Sequence, residues 1–344
     1  MFDELILEES DYMSSYQLAR ISDFVYSEVC TINQFEQLDK SNLKIINQKD
    51  NNIFNISKKL ILGKNFTIFT NRYFLNSLFD ELSRIKENLE LNIIVHQTDI
   101  PFTESEFKLT PKNVNKIYSI NLDYEGENLI PIPLGLSNSY SDKNLLVEDF
   151  QNFEITNFED KKDTMYINFN QNTNHLIRDD LYNRFERFDW VEIDKPNLSK
   201  DLYFSKINTN KFILSPWGNG IDTHRIWESL YLKSIPVTKY HHTFSTSNNL
   251  PIIFVKDYSE ISIEFLKNKE IEMLQKKFNF DLLKNTYWKK EIISNSDQDN
   301  IEYYKLKILN YFFQIYSYKL KIKIESYKKK INYYLKKISN KLKK

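Results

Sequence analysis

The chain is predicted to be an α/β protein: two successive blocks of alternating strand and helix, followed by a basic amphipathic helix. Three observations predict it. Short apolar runs bounded by turn residues alternate with segments of helical period, over residues 66–95 and again over 164–280. The 344 residues, 41% hydrophobic and 27% charged, suffice for two domains with full cores. From Ile301 onward there is neither Gly nor Pro, and apolar residues recur mostly three and four apart among lysines.

Taken in order, Tyr16 to Cys30 is expected as a helix and Asn42 to Ile56 as loop with short strands. Phe66–Phe69 is a strand, Leu75–Leu89 a helix (Leu75, Leu78, Phe79, Leu82, Ile85) and Ile93–Val95 a strand. This unit seeds a parallel sheet, with His96 and Asp99 at the carboxyl end of its second strand, where open α/β sheets place ligands. Lys116–Ile120 is a further strand. The prolines of Leu129–Leu136 point to an edge or irregular strand. Residues 141–161 connect the two blocks. The second block runs through a strand at Met165–Phe169, a capping-rich turn at Asn170–Asn174 and a helix. That helix places Leu176, Leu181, Tyr182 and Phe185 on one face and Arg178 near its start. A strand at Trp190–Ile193, a helix at Leu198–Ile207 and strands at Phe212–Leu214, Ile235–Thr238 and Ile252–Val255 follow, then a helix-rich stretch from Ile261 to Phe280. The boundaries expected are 1–160, 161–290 and a helical tail, 291–344.

Composition excludes several classes. A single cysteine, Cys30, rules out an intramolecular disulfide and a cysteine-only metal site. No basic-then-apolar leader and no run of about 18 apolar residues is present, so a cytoplasmic protein is expected. No G-x-G-x-x-G or Walker A pattern occurs, which removes the ordinary dinucleotide and ATPase readings. Tyr316–Lys344 holds eleven lysines against one acid, Glu325, a net of +10; the chain is neutral, so residues 1–315 carry −10. The Lys319–Lys344 region is expected to meet an anionic membrane surface, peripherally on the inner face. A helical partner or the acidic body itself are the alternatives, and no nucleic-acid partner is expected.

The most informative stretch is KFILSPWGNGIDTHRIWESLYLKSIPVTKY, residues 211–240. Two of the chain's five glycines, Gly218 and Gly220, flank Asn219 before a helix that starts near Asp222 or Thr223. A turn entering a helix, with Arg225 or Arg178 as a fixed cation, is what a nucleotide diphosphate requires. Glu228 is suited to a ribose, although Arg225 and Glu228 also fit an exposed i,i+3 ion pair. His96 and Asp99 stand as general-base candidates; a backbone-satisfied histidine and a cap before Pro101 are the alternatives. His224 fits a phosphate contact or a structural place, and Trp217 and Trp227 fit packing. His241 and His242 lack partners at metal-ligand spacing, so neither metal nor cofactor is expected.

Ser215, Pro216, Gly218, Gly220, Asp222, Arg225, Glu228 and the strand from Ile235 together resemble the C-terminal motif of exostosin-like glycosyltransferases. VHQTDIPF (95–102), IPIPLGLSNS (130–139) and MYINFNQNTNHLIR (165–178) fit the same wider group, so the likeness spans about residues 90–260. The resemblance implies a GT-B architecture, two Rossmann-like domains facing a cleft. It implies a nucleotide-sugar donor on the C-terminal side, held by Asn170, Arg178, Ser215, Gly218, Asn219, Gly220, Asp222, His224, Arg225 and Glu228. It further implies a glycan or lipid-linked acceptor on the N-terminal side and inverting transfer without metal. Two departures stand out: Lys233-Ser234, where a small residue and a glycine are common, and Gln97, where Asn is common. A non-catalytic glycan- or nucleotide-binding protein and a membrane-associated scaffold remain the alternative readings.

Overall fold

A computed structural model describes residues 1–31, 47–49, 52–54, 60–138, 144–151, 153–293 and 301–304, and single helical positions between 317 and 338. Its strands are β1 (Phe24–Tyr26), β2 (Glu28–Thr31), β3 (Asn47–Lys49), β4 (Asn52–Phe54), β5 (Leu60–Gly63), β6 (Thr67–Thr70), β7 (Leu91–Val95), β8 (Val114–Ser119), β9 (Leu129–Pro131), β10 (Lys162–Ile167), β11 (Val191–Ile193), β12 (Asn210–Leu214), β13 (Ile235–Lys239), β14 (Ile253–Val255) and β15 (Ile301–Tyr304). The helices are α1 (Ser15–Ile21), α2 (Arg72–Leu82), α3 (Glu104–Phe107), α4 (His175–Phe185), α5 (Lys200–Thr209), α6 (His224–Tyr231), α7 (Ile263–Leu274) and α8 (Asn285–Ile292).

Two five-stranded parallel sheets form the frame. The first has the order β1-β6-β7-β8-β9 and the second β11-β10-β12-β13-β14. The central strands β7 and β12 are mostly apolar and almost wholly buried, as parallel strands covered on both faces must be. The proline-bearing β9 is the edge of its sheet, as its sequence requires. The sheets differ in one decisive respect. The first is laid down without reversal. In the second the order reverses between β10 and β12, and such a switch point opens a crevice at the carboxyl ends of the strands.

One buried apolar cluster runs from Phe2 through Tyr118 and Trp227 to Ile292, so it spans both sheets; a second, with Leu75, Leu78 and Ile93, lies under α2. Helix α8 returns the chain to the first sheet. There the carbonyl of Ile292 accepts from Asn92 Nδ2 at 2.8 Å, and Tyr118 donates to the carbonyl of Glu291 at 2.9 Å. The Tyr231 hydroxyl accepts from Met13 N–H at 3.0 Å and donates to Leu283 O at 2.7 Å, tying the N-terminal segment to the second sheet.

Three expectations are corrected. The helix over Tyr16–Cys30 stops at Ile21, and β1 and β2 follow, because Phe24-Val25-Tyr26 find a parallel partner in β6. The first block's helix spans Arg72–Leu82, capped by Asn71, whose side chain accepts from the N–H groups of Tyr73 and Phe74. The tail does not begin as a helix: Ile301–Tyr304 pairs antiparallel with Leu60–Gly63. Positions 320, 323, 324, 327, 328, 331, 332, 334, 335 and 338 are helical; of the expected loop over Asn42–Ile56, residues 42–46, 50–51 and 55–56, and much of the tail, lie outside the described residues.

Helix α6 ends in strain. Lys233 has φ +56°, the left-handed region in which a side chain costs about 1–2 kcal/mol and glycine costs none. The departure at Lys233-Ser234 therefore falls on the residue that turns the chain from α6 into β13. Gln97, the other departure, is also left-handed, at φ +53°. Lys233 further adds positive charge beside Lys161, whose amine is pulled down to about 7, first by burial and then by Lys233. Lys233→Gly removes both burdens and is expected to raise unfolding stability by about 1 kcal/mol in a denaturant titration; a loss of stability would contradict this account of the turn.

Candidate functional site

The site lies at the switch point. The loop after β10 carries Asn170 to Asn174, and the loop after β12 carries Ser215 to Gly220. Arg178, on the first turn of α4, joins them. Its Nη1 donates to Asn170 O (3.0 Å) and Thr173 Oγ1 (2.6 Å), its Nη2 to Pro216 O (2.8 Å) and its Nε to Trp217 O (3.0 Å). Arg178 is buried and stacks over Phe169, whereas Leu176, expected on the apolar face, is 61% exposed. The inward face of α4 thus carries a cation beside the buried Leu181 and Phe185. Gly218 lies against that clamp, and a Cβ there would approach Arg178 Nη2 to 3.0 Å. Gly220 has the same reason on its other side, where a Cβ would stand 2.8 Å from Asn121 Nδ2. Close approach, not positive φ, is what both glycines supply; the left-handed glycine of the chain is Gly135.

The remainder of the motif faces two ways. Asp222 points to the first sheet's loops. Its Oδ2 accepts from Leu134 N–H and its Oδ1 from Trp227 Nε1, both at 2.9 Å, while its own N–H donates to Asn121 Oδ1 at 2.8 Å. His224 Nδ1 lies 2.7 Å from Gly135 O. Thr243 and Thr246 donate to Leu122 O and Pro131 O, completing the seam. Arg225 and Glu228 point the other way. Glu228 is buried, and both its oxygens are engaged, Oε2 by the Tyr203 hydroxyl (2.7 Å) and Oε1 by Leu145 N–H (3.1 Å). It is neither an exposed ion-pair partner nor open to a ribose.

Arg225 is different. Its Nε is buried without a hydrogen-bond partner, and no hydrogen bond or ion pair reaches its guanidinium among the described residues. Its guanidinium carbon lies 5.7 Å from the centre of the Tyr203 ring. Burial opposes its charge, but Tyr203, then Glu228, Tyr182 and Tyr166, outweigh burial, and its pKa is raised. Arg178 feels the opposite: burial first and the Arg225 charge second pull it down to about 9. Two cations therefore share the crevice, one spent on backbone carbonyls and one uncommitted. An anion placed between the loops would relieve their repulsion.

The other expected residues fall as follows. Ser215 is wholly buried and donates to Ile213 O, Asn170 caps its own turn through Asn172 N–H, and Asn219 is exposed at the tip. His96 follows β7 and is buried, with Nδ1 accepting from Gln97 N–H and Nε2 facing Pro133 O at 3.3 Å. Burial takes its pKa down to about 3, so the ring is neutral and both nitrogens are occupied. Asp99, three residues on, is exposed. Trp217 and Trp227 donate to Lys239 O and Asp222, and among the described residues no three His, Cys, Asp or Glu side chains converge as metal ligands. Sequence reasoning missed Asn121, left-handed at φ +52°, and Tyr203. Neither belongs to a local motif; each is brought to the site by a different sheet or helix.

No protein-family model and no curated protein sequence matches this chain. Among solved structures, an α-glucosyltransferase in complex with UDP and a 13-mer DNA containing a HMU base is similar over 66% of this chain and 75% of that one, at 9% identity and a TM-score of 0.29. The α-glucosyltransferase in complex with UDP covers 66% of this chain and 76% of that one, at 9% identity and a TM-score of 0.28. Those scores lie below what establishes a shared fold, so the class rests on the two sheets themselves: an α/β protein with a switch-point crevice in its second sheet. The exostosin-like resemblance rests on the motif residues alone.

Asp222 gives the seam a pH signature. Burial, partly offset by Leu134, Trp227 and Thr223, raises its carboxyl from 3.8 to about 7. The folded state then holds a proton that the unfolded state releases, so stability falls as pH rises from about 4 to about 7 and levels off above. Asp222→Asn is expected to abolish that slope in denaturant titrations across pH, whereas an unchanged slope would assign it elsewhere. Asp222→Ala leaves Leu134 N–H and Trp227 Nε1 without acceptors and is expected to cost about 2–4 kcal/mol.

Proposed function

We propose that the chain is a glycosyltransferase that moves a sugar from a nucleotide-sugar donor to a glycan acceptor. The carrying observation is the uncommitted Arg225 guanidinium beside Arg178 at the switch point. A leaving nucleoside diphosphate supplies the missing anion. The acceptor hydroxyl oxygen attacks the anomeric carbon as the bond to the diphosphate breaks. The hydroxyl proton passes to a carboxylate, and the charge left on the diphosphate is met by Arg225. Asp99, exposed at the end of β7, is the base in this reading. His96 holds the backbone around it. Glu228 serves by positioning Tyr203 and the connector at Leu145 around Arg225. Asn170, Asn219 and the loop N–H groups line the donor side. Residues 1–160 form the acceptor side, 161–290 the donor side and 291–344 the tail; inversion and independence of metal belong to the same proposal.

Because no hydrogen bond or ion pair engages the Arg225 guanidinium among the described residues, its loss should spare the fold. Arg225→Ala is expected to melt as wild type while losing about 10²–10³-fold in turnover of a nucleotide-sugar, the loss typical of one transition-state charge donor. UDP and GDP sugars should raise the wild-type melting temperature, less so at high salt. Wild-type turnover in the variant, or a chain that no nucleotide-sugar stabilises, would refute the assignment.

The same reading sets the enzyme at a membrane. Leu320, Ile324, Tyr327, Ile331, Tyr334, Leu335 and Ile338 are between 43% and 60% exposed on the tail helix. In the sequence, residues 316–344 carry eleven lysines against one acid, so a second copy of this segment would set like charge against like charge. An anionic lipid surface instead takes the stripe and gains about 1 kcal/mol per lysine near it. No helix among the described residues is long and apolar enough to cross a membrane. The full chain should sediment with phosphatidylserine vesicles and not with neutral ones, and a chain ending at Asn300 with neither; sedimentation of the shortened chain would exclude the tail.

A further inference from the structure

A cavity of about 420 Å³ lies away from the arginine crevice, between α1, the N-terminal segment and the connector between the sheets. Its volume is within the range of small-ligand sites. Its floor is polar and buried. Ser137 is 1% exposed, lines the cavity, and its Oγ has no hydrogen-bond partner; Oε1 of Gln17 is likewise buried without one. Asn138 beside them accepts from Tyr16 N–H and donates to Ser15 Oγ. The same Ser15 Oγ accepts from Gln97 Nε2, so the cavity wall is bolted to the segment that leaves β7 and carries Asp99. Among the described residues, Glu8, Glu9 and Glu148 stand at the rim against the single cation Arg20.

We propose that this cavity is a saccharide subsite, taking a hydroxyl-rich sugar that carries no phosphate or carboxylate. Sugar hydroxyls donate and accept at once. Glu8 and Glu9 at the rim take donors, Arg20 takes an acceptor, and the orphan Ser137 hydroxyl and Gln17 carbonyl complete the set at the floor. The excess of acid repels a diphosphate and sends it to Arg225, which divides the two substrates by charge. That the bound sugar is the acceptor of transfer rests on the glycosyltransferase reading; that the cavity binds sugar does not.

Saturation-transfer NMR on the full chain, with methyl glucoside and methyl N-acetylglucosaminide as probes and UDP in a separate arm, tests it. Transfer to the glycosides is expected in wild type, and roughly tenfold weaker binding in Gln17→Ala and Ser137→Leu, as loss of a buried polar partner implies, with UDP binding unchanged. Gln17 is half-buried on α1, so its variant serves should Ser137→Leu fail to fold. No transfer to any glycoside, glycoside binding indifferent to both substitutions, or UDP binding lost in Gln17→Ala would each overturn the proposal. Glycoside binding in a chain that turns over no nucleotide-sugar would leave the subsite standing and refute the transferase reading; UDP binding without glycoside binding would do the reverse.

Discussion

The structure of the second sheet depends on one buried guanidinium. Arg178 reaches from α4 to both loops at the switch point and fixes them through four hydrogen bonds, three to backbone carbonyls and one to Thr173. A lysine offers one compact charge and could not span both loops, whereas the planar fork of an arginine does. Gly218 follows from the clamp, since any side chain would collide with it. With Arg178 spent on the loops, Arg225 is left as the cation without a hydrogen-bond partner among the described residues, lying over the Tyr203 ring. The two neighbouring arginines thus differ in commitment: Arg178 holds the loops at the switch point, and no hydrogen bond engages the Arg225 guanidinium among the described residues.

A second constraint joins the halves of the molecule. Asp222, Asn121 and His224 weave the turn before α6 into the loops of the first sheet, and α8 brings the chain back beneath it. The motif thus has two faces. Its front, at Arg225, looks into the crevice; its rear, at Gly220 and Asp222, is part of the seam. Burial in the seam is what raises the Asp222 pKa, against the N–H donors of Leu134 and Trp227 that lower it, so the shift needs no catalytic role to explain it.

Much of the second block was legible because its signals are local. Apolar triplets such as Phe212-Ile213-Leu214, the capping run after β10 and the crowding of Gly218 and Gly220 each report their own backbone. The second half of the helix expected over Tyr16–Cys30 and the helical start expected at Ile301 are strands instead, because β1, β2 and β15 find partners distant in the chain, β6, β4 and β5. The roles within the motif also escaped. Arg225 and Glu228 are one turn apart and fit an ion pair, yet Tyr203 and Leu145 capture the carboxylate from outside the helix. His96 was legible as a residue at a strand end; that both its nitrogens are taken depends on where Pro133 lies.

By itself the sequence determined the alternation of strand and helix, the place of the glycine turn, and the split between an acidic body and a basic tail. Each of these is a property of neighbouring residues: period, turn chemistry and charge. Only the tertiary structure decided which strands adjoin, hence where the second sheet reverses its order, and which of two similar arginines is bound and which is uncommitted. That choice is made by partners on other strands and helices, whose approach no local pattern encodes.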